Sequence, residues 1–411
     1  MKPSVIFYGA GLEARSKFFD WIDAGIPIPV CFADADDNKQ YTKFVINTPA
    51  SESCRHLKFE ILPLHEALEK YPDYLIFLSV SDANLLFVYN YLISCGVPKE
   101  KIKYSDHVEY RKGCQSLLTA FHVGPRNLKV CCISPYNTSI PRKAPMQVLY
   151  REYMETFGNL LQDIIENKPT HCDGCPYLVE RFWPKNPKVN KIVFDTGFDS
   201  DSCNFNCIYC TYKNNIEGRY IGEKFIDVFR ETLRCFEGVE NIFIHLGVGE
   251  ISVAHWKDEV LNLLKAKKWY SYIHTNASVY NSDIAEMIKE GYMTINVSLD
   301  SGTSRTFSKI KGVDCFDKVV ENLLKYSECG HGVHLKYIIL PEINTNPDDV
   351  DGFLDIAFKT FTEWGENVVV PVPSYTLYDY FVSMNGGKAY SVDLAEDFQL
   401  DVDACSYRKE K

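Results

Sequence analysis

From about residue 190 to 375, short runs of β-branched and aromatic residues alternate with stretches whose apolar residues recur every three or four positions. The runs are KIVFDT (191–196), NIFIHL (241–246), WYSYIHT (269–275), MTINVSL (293–299), HLKYIIL (334–340) and VVVPVP (368–373). Between them lie FIDVFRETLRCF, DEVLNLLKA, SDIAEMIKEG, FDKVVENLLKY and DDVDGFLDIAFK, each with helical periodicity. Strand and helix in alternation predict a parallel sheet built from βα units. Six units rather than eight predict an α/β fold, an open or partial (β/α)6 barrel. Functional groups of such sheets gather at the carboxyl ends of the strands.

Residues 1–106 read as a separate α/β unit. VIFY is followed at once by Gly9-Ala10-Gly11-Leu12-Glu13-Ala14, which matches G-x-G-x-x-A, and the next strand ends in the acidic PVCFADAD. In a dinucleotide reading, Gly9 and Gly11 let the backbone approach a pyrophosphate at a helix N-terminus, and Asp34 or Asp36 meets a ribose. Further βα units follow through FEILPLHEALEKY, YLIFLSVSDANLLFVYNYLISCG and KIKY. The GAG turn, acidic strand end and final G-V-P-x-x-K-I-K strand resemble small Rossmann-like domains attached to sugar-modifying enzymes, some of which bind nucleotide sugars. NAD, another nucleotide or nucleotide sugar, and a docking role all stay open for this unit.

The Pro- and Asn-containing stretch ERFWPKNPKVN (180–190) marks the main boundary. It separates a cysteine-rich segment, 107–189, from the barrel region, 190–375. A closing segment, 376–411, contains a Gly386-Gly387 turn and a short helix. No repeat of 20 to 50 residues and no low-complexity linker is visible.

Composition narrows the class. The 411 residues are 46% hydrophobic and 24% charged, ordinary for a globular protein of two or three domains. No uninterrupted apolar run approaches a membrane span, and MKPSVIFYGAG opens directly into a strand, so no membrane association is expected. A net charge of −11 argues against nucleic acid as a partner, because phosphate binding needs a basic footprint. Fifteen cysteines without a signal peptide point to metal binding in a reducing, cytoplasmic setting rather than to disulfides.

The most informative cysteines are Cys203, Cys207 and Cys210, in CNFNCIYC. Three thiolates spaced C-x3-C-x2-C suit three corners of a cubane [4Fe-4S] cluster and leave one iron open for a substrate or cofactor. The competing readings are three buried cysteines or a zinc knuckle short of its fourth ligand. Zinc sites usually pair two C-x2-C motifs. The spacing, with aromatic Tyr209 just before the last cysteine, resembles the signature of the radical S-adenosylmethionine (radical SAM) superfamily. The resemblance implies that the open iron chelates S-adenosylmethionine, whose reductive cleavage yields a 5′-deoxyadenosyl radical that abstracts hydrogen from a substrate. It also implies an electron donor such as flavodoxin or ferredoxin.

Further contacts are implied by the same resemblance. Gly247-Val248-Gly249-Glu250 is similar to the family's glycine-glycine-glutamate motif for the cofactor's amino group, with Val248 replacing one glycine, while Gly249 and Glu250 align. The ordinary alternative is a glycine turn beside a solvated glutamate. His274-Thr275-Asn276 and Ser298-Leu299-Asp300-Ser301 end the third and fourth strands and resemble ribose and carboxylate contacts, so Asn276, Ser298 and Asp300 join the cofactor-binding set. Asn and Asp at strand ends are also common turn formers.

A second cysteine group lies upstream. Cys114 precedes a hairpin, TAFHVGPRNLKVCC, that ends in Cys131-Cys132; a helical stretch then leads to Cys172 and Cys175 in HCDGCPYL. This order resembles a SPASM-type auxiliary cluster segment, permuted to precede the barrel. It implies a second [4Fe-4S] cluster on Cys114, one of Cys131 and Cys132, Cys172 and Cys175. Zinc is the alternative occupant, since C-x2-C pairs suit it equally well. The expected substrate is a carbohydrate or nucleotide-linked metabolite. One alternative is a peptide, as in many SPASM-bearing relatives; another is an iron–sulfur electron carrier or redox sensor without cofactor turnover.

Overall fold

The computed structural model describes residues 3–47, 56–131, 139–195, 203–210, 224–247, 249–362, 364–372 and 377–394. Cys132, Val248 and the end of the closing segment therefore lie outside the described residues. In chain order, β1 (Ser4–Tyr8), β2 (Cys31–Ala33), β3 (Lys43–Asn47), β4 (His56–Leu62), β5 (Tyr74–Leu78) and β6 (Ile102–Lys103) come first. Next are β7 (Val108–Gly113), β8 (Ala120–Val123), β9 (Asn127–Lys129), β10 (Ser139–Pro141), the helix Met146–Ile165 and β11 (Val179–Pro184). The remaining strands are β12 (Lys191–Phe194), β13 (Phe243–Leu246), β14 (Tyr270–Thr275), β15 (Met293–Ser298), β16 (Val333–Lys336), β17 (Asn367–Val372) and β18 (Lys388–Asp393). The chain divides into two compact units, Met1–Leu118 with Leu160–Lys188, and Thr119–Asn159 with Val189–Lys411.

In the first unit, the sheet order is β3-β4-β2-β1-β5-β6, parallel except where β3 opposes β4. Alternation along β1 sends Val5 and Phe7 into one core with Phe18 and Trp21, and Ile6 and Tyr8 into another with Leu85 and Leu92. Both faces are covered, which is why these strands read as unbroken apolar runs. Strand order reverses at β1, the switch point where such sheets form a crevice. A separate ribbon pairs β7 with β11 in antiparallel register.

In the second unit, β8, β12, β13, β14, β15 and β16 run parallel side by side, with β9 and β10 extending the sheet beyond β8. The predicted hairpin is present as β8 and β9, and its first strand joins this sheet beside β12. The sixth parallel strand is thus β8, and the predicted sixth run, 368–373, lies outside this sheet. That run forms β17, which pairs with β18 in a two-stranded sheet. Pro371 lacks an N–H and suits such an edge position, not the middle of a ladder. The predicted strand 334–340 stops at Lys336 because later amides turn to side chains: Ile338 N–H donates to Asp300 and Leu340 N–H to Asn344.

The strands of this sheet bury one set of alternate residues, Ile192, Phe194, Ile244, Leu246, Ile273, Ile295 and Val297, against the helices. Phe194, for example, meets Phe225 and Phe229 of the helix Phe225–Cys235 at ring separations of 5.5 and 5.1 Å. On β12 to β15 the other set faces inward and, apart from Val193 and Phe243, consists of polar, tyrosine and histidine side chains.

Candidate active site

The cysteine loop is seated on a helix end. An α-helix leaves its last carbonyls without partners, and here the loop supplies them. Asn206 N–H donates to the Lys311 carbonyl and Ile208 N–H to the Ile310 carbonyl of the helix Ser304–Lys311, both at 2.9 Å. Gly312 ends that helix at φ 70°, and a Cβ there would stand 2.8 Å from the Asn206 carbonyl oxygen. Beneath the loop, Phe205 packs edge-on against Phe307 at 5.9 Å. Cys203, Cys207 and Cys210 are each half-buried, and Cys210 N–H closes a turn onto the Cys207 carbonyl at 3.1 Å.

Two side-chain networks pin the loop laterally. On one flank, Asn276 Nδ2 donates to Asn204 Oδ1 and Asn204 Nδ2 donates to Ser278 Oγ, both at 2.9 Å. On the other, Tyr209 Oη donates to Asp300 Oδ2 at 2.5 Å, and Lys311 Nζ reaches the same oxygen at 2.5 Å and Tyr209 Oη at 2.7 Å. Asp300 and Lys311 are almost fully buried. Asp300 Oδ1 accepts from Ile338 N–H, and its carbonyl accepts from Asn344, so this residue ties the end of β15 to the segment after β16. Burial raises the Cys207 thiol above its ordinary range, and the Lys311 charge opposes that rise.

Gly249 and Glu250 follow β13. The Glu250 carboxylate is completely buried and accepts from Ser252 N–H, Thr275 Oγ1 and Asn276 N–H. Burial raises its pKa while these three donors pull it down. Glu250 thus bridges the ends of β13 and β14 and holds Asn276 toward the loop. Ser298, half-buried, is the last residue of β15, on the inner face.

That inner face carries a row of largely polar side chains. Along the registers lie His122, the apolar Val193, His245, Tyr272 and Thr294, then His274, Asn296 and His334. His245 Nε2 and His274 Nε2 are 3.0 Å apart, and Asn296 Nδ2 lies 3.2 Å from His274 Nδ1. Tyr272 stands edge-on to both His274 and His334. Burial pushes His122 and His245 down to about 4, and lowers His274 as well, so these imidazoles are neutral near pH 7. At one end of the row Lys129 pairs with Asp195 at 2.9 Å; at the other is exposed Lys336. Of this row only His274 lies in a stretch that the resemblance makes a cofactor contact; the others sit in runs that read simply as strands or a hairpin. A readable signal existed: every second position of FIHL, YSYIHT and TINVS is polar or aromatic where a sheet buried on both faces would be aliphatic.

The upstream cysteines are divided. Cys114, Cys172 and Cys175 belong to the first unit and Cys131 to the second. Cys175 N–H donates to the Cys172 carbonyl at 3.0 Å in a turn like that of the 207–210 loop. Among the described residues, no three His, Cys, Asp or Glu side chains converge tightly enough for one metal ion. For the 203–210 loop this is compatible with a cubane, in which each thiolate binds a different iron.

In the first unit, a cavity of about 510 Å³ opens at the switch point, lined by Gly9, Gly11, Glu13, Asp34, Phe87 and Tyr91 among others. Gly9 has φ 104°, and a Cβ there would strike Val80 at 2.5 Å, so this glycine serves strand packing. Asp34 Oδ2 accepts from Ala10 N–H at 2.8 Å and Oδ1 from Asp36 N–H at 3.0 Å. The central amide of the glycine turn is therefore already engaged by a carboxylate. Among the described residues no helix is long and apolar enough to cross a membrane.

Residues 199–356 match the family model described as Radical SAM superfamily. A GTP 3′,8-cyclase of Pectobacterium atrosepticum is 26% identical over 176 residues, covering 40% of this chain and 49% of that protein. One from Clostridium perfringens is 25% identical over 168 residues, covering 39% and 50% respectively. The chain thus spans about half the length of these curated relatives. The crystal structure of Streptococcus suis SuiB aligns with a TM-score of 0.35 and 14% identity, over 59% of this chain and 55% of that one. On the matched family model, which contains the cysteine loop and the four strands after it, residues 199–356 form a domain of the radical SAM superfamily.

Proposed function

We propose that this enzyme binds its [4Fe-4S] cluster through Cys203, Cys207 and Cys210 and abstracts hydrogen from a carbohydrate or nucleotide-linked metabolite. The bound cluster and S-adenosylmethionine supply a 5′-deoxyadenosyl radical. The chain's own residues hold and orient. Glu250 and Gly249 shape the end of β13, Asn276, Ser298 and Asp300 line the neighbouring strand ends, and Tyr209 backs the loop.

The observation that carries the substrate class is the inner-face row from His122 to His334. The neutral imidazoles of His122, His245 and His274 and the Asn296 amide present donors and acceptors without charge, which suits the hydroxyls and ring nitrogens of a sugar or nucleoside. A surface built to hydrogen-bond rejects ligands that leave its polar groups unpaired. GTP, the nucleotide in the relatives' name, belongs to this class of ligand.

Three further assignments complete the reading. Within residues 107–189, Cys114, Cys172 and Cys175 supply ligands to an auxiliary iron–sulfur site; residues 1–106 serve as a nucleotide-binding domain and residues 190–375 as the barrel. The cavity beside Gly9 and Gly11 takes a nucleotide or nucleotide sugar; the engaged Ala10 amide favours a ligand that meets the turn through something other than a pyrophosphate. A cytoplasmic flavodoxin or ferredoxin delivers the electron.

Anaerobic incubation of the reconstituted protein with S-adenosylmethionine and dithionite tests the first claim, with 5′-deoxyadenosine above a cluster-free control as the expected product. Addition of nucleotides and sugar nucleotides in deuterated form is expected to move deuterium into that product. Deuterium transfer from a peptide pool alone would overturn the substrate class.

A further inference from the structure

We propose that Lys311 sets how readily the cluster at the cysteine loop is reduced, acting as a fixed cation buried beneath that loop. This rests on the reading of Cys203, Cys207 and Cys210 as cluster ligands. Lysine is almost never fully buried unless paired, and Lys311 is 3% exposed. Its ammonium is held at three points: Asp300 Oδ2 at 2.5 Å, Tyr209 Oη at 2.7 Å and the Tyr209 ring face, whose centroid is 5.1 Å away. Its backbone carbonyl meanwhile holds Asn206 N–H. Main chain and side chain of one residue therefore grip both the middle of the loop and the residue before Cys210.

The pair with Asp300 does not cancel this charge at the loop. Asp300 directs its second carboxylate oxygen away, to Ile338 N–H, and shares the first between two donors, Tyr209 Oη and Lys311 Nζ. Reduction adds one electron to a site already bearing three thiolates. Cluster potentials follow net charge and local hydrogen bonding, and a cation in a poorly solvated site acts at a low effective dielectric. A buried ion pair is a costly way to fill volume. Here it supplies a positive charge that solvent does not screen.

The full-length reconstituted protein is first assayed for iron and sulfide. A parent that takes up no iron overturns the cluster reading, and the proposal with it, before any titration begins. The ratio of reduced to oxidised cluster is then read by electron paramagnetic resonance at one fixed potential. Lys311→Met is expected to lower that ratio about tenfold, equivalent to about 59 mV for a one-electron couple. Asp300→Asn is expected to raise the ratio, and Lys311→Arg to keep it near the parent value. Should Lys311→Met fail to load, the double variant Asp300→Asn/Lys311→Met, which leaves no unpaired carboxylate, is expected to show a ratio about tenfold below that of Asp300→Asn alone. A parental ratio in Lys311→Met, or a ratio in the double variant equal to that of Asp300→Asn alone, overturns the proposal and leaves the cluster reading standing. So does failure of the double variant to take up iron while Lys311→Arg loads normally, which would make Lys311 purely architectural.

Discussion

Glu250 shows how tightly single side chains are committed here. Its carboxylate faces two backbone N–H groups and the Thr275 hydroxyl, so Glu250→Gln must turn an amide NH2 toward at least one donor. The expected cost is about 1–3 kcal/mol of unfolding free energy, read by denaturant titration, with weaker S-adenosylmethionine binding as Asn276 loses its anchor. The inner-face histidines set a pH dependence. His245 and His122 are held near 4, from an ordinary 6.5, so the folded protein resists protons that the unfolded chain accepts. Their contribution is present above pH 6.5 and is lost as pH falls from 6.5 through 4. His245→Gln should therefore flatten the decline in stability across that window, by about 1 kcal/mol or more. An unchanged acid limb would mean that the imidazole protonates freely in the folded state.

At the level of elements, the loop and the helix Ser304–Lys311 depend on each other. The helix end needs a left-handed residue and the loop needs space above it, and Gly312 serves both. Gly312→Ala should cost about 1 kcal/mol for the left-handed conformation alone, with more from displacement of Asn206. It should also reduce the iron retained after reconstitution. A variant that keeps full iron and parental stability would show that the loop position does not depend on this contact. The strand runs, the amphipathic helices and the cysteine spacing were legible because each is a local pattern. The fate of HLKYIIL was not: a side chain from the preceding strand end, Asp300, takes the Ile338 amide and ends the ladder. Nor could the run VVVPVP reveal that its partner would be β18, a strand whose own sequence announces little.

For the whole molecule, the two cysteine groups are expected to divide the labour. Replacing Cys203, Cys207 and Cys210 by Ala should abolish 5′-deoxyadenosine formation and leave about half the iron if the upstream site holds a second four-iron cluster. Replacing Cys172 and Cys175 by Ser should instead stop substrate turnover while uncoupled cleavage of S-adenosylmethionine persists. Metal analysis of the parent checks both: iron well beyond one cluster is expected, and one cluster's iron with stoichiometric zinc would make HCDGCPYL a structural zinc site.

Sequence alone determined the parallel α/β class, the superfamily and the three-cysteine loop. All of these rest on periodicity and short spacing, which a chain displays before it folds. Tertiary structure alone decided that a hairpin upstream of the cysteines supplies the first strand of the parallel sheet. It also gathered histidines from separate strands into one row, and brought Lys311 under Tyr209 across 102 residues of chain. Those contacts come from strand register and helix packing between distant segments. Each participating residue, read in its own neighbourhood, is an ordinary histidine in a strand or an ordinary lysine at a helix end.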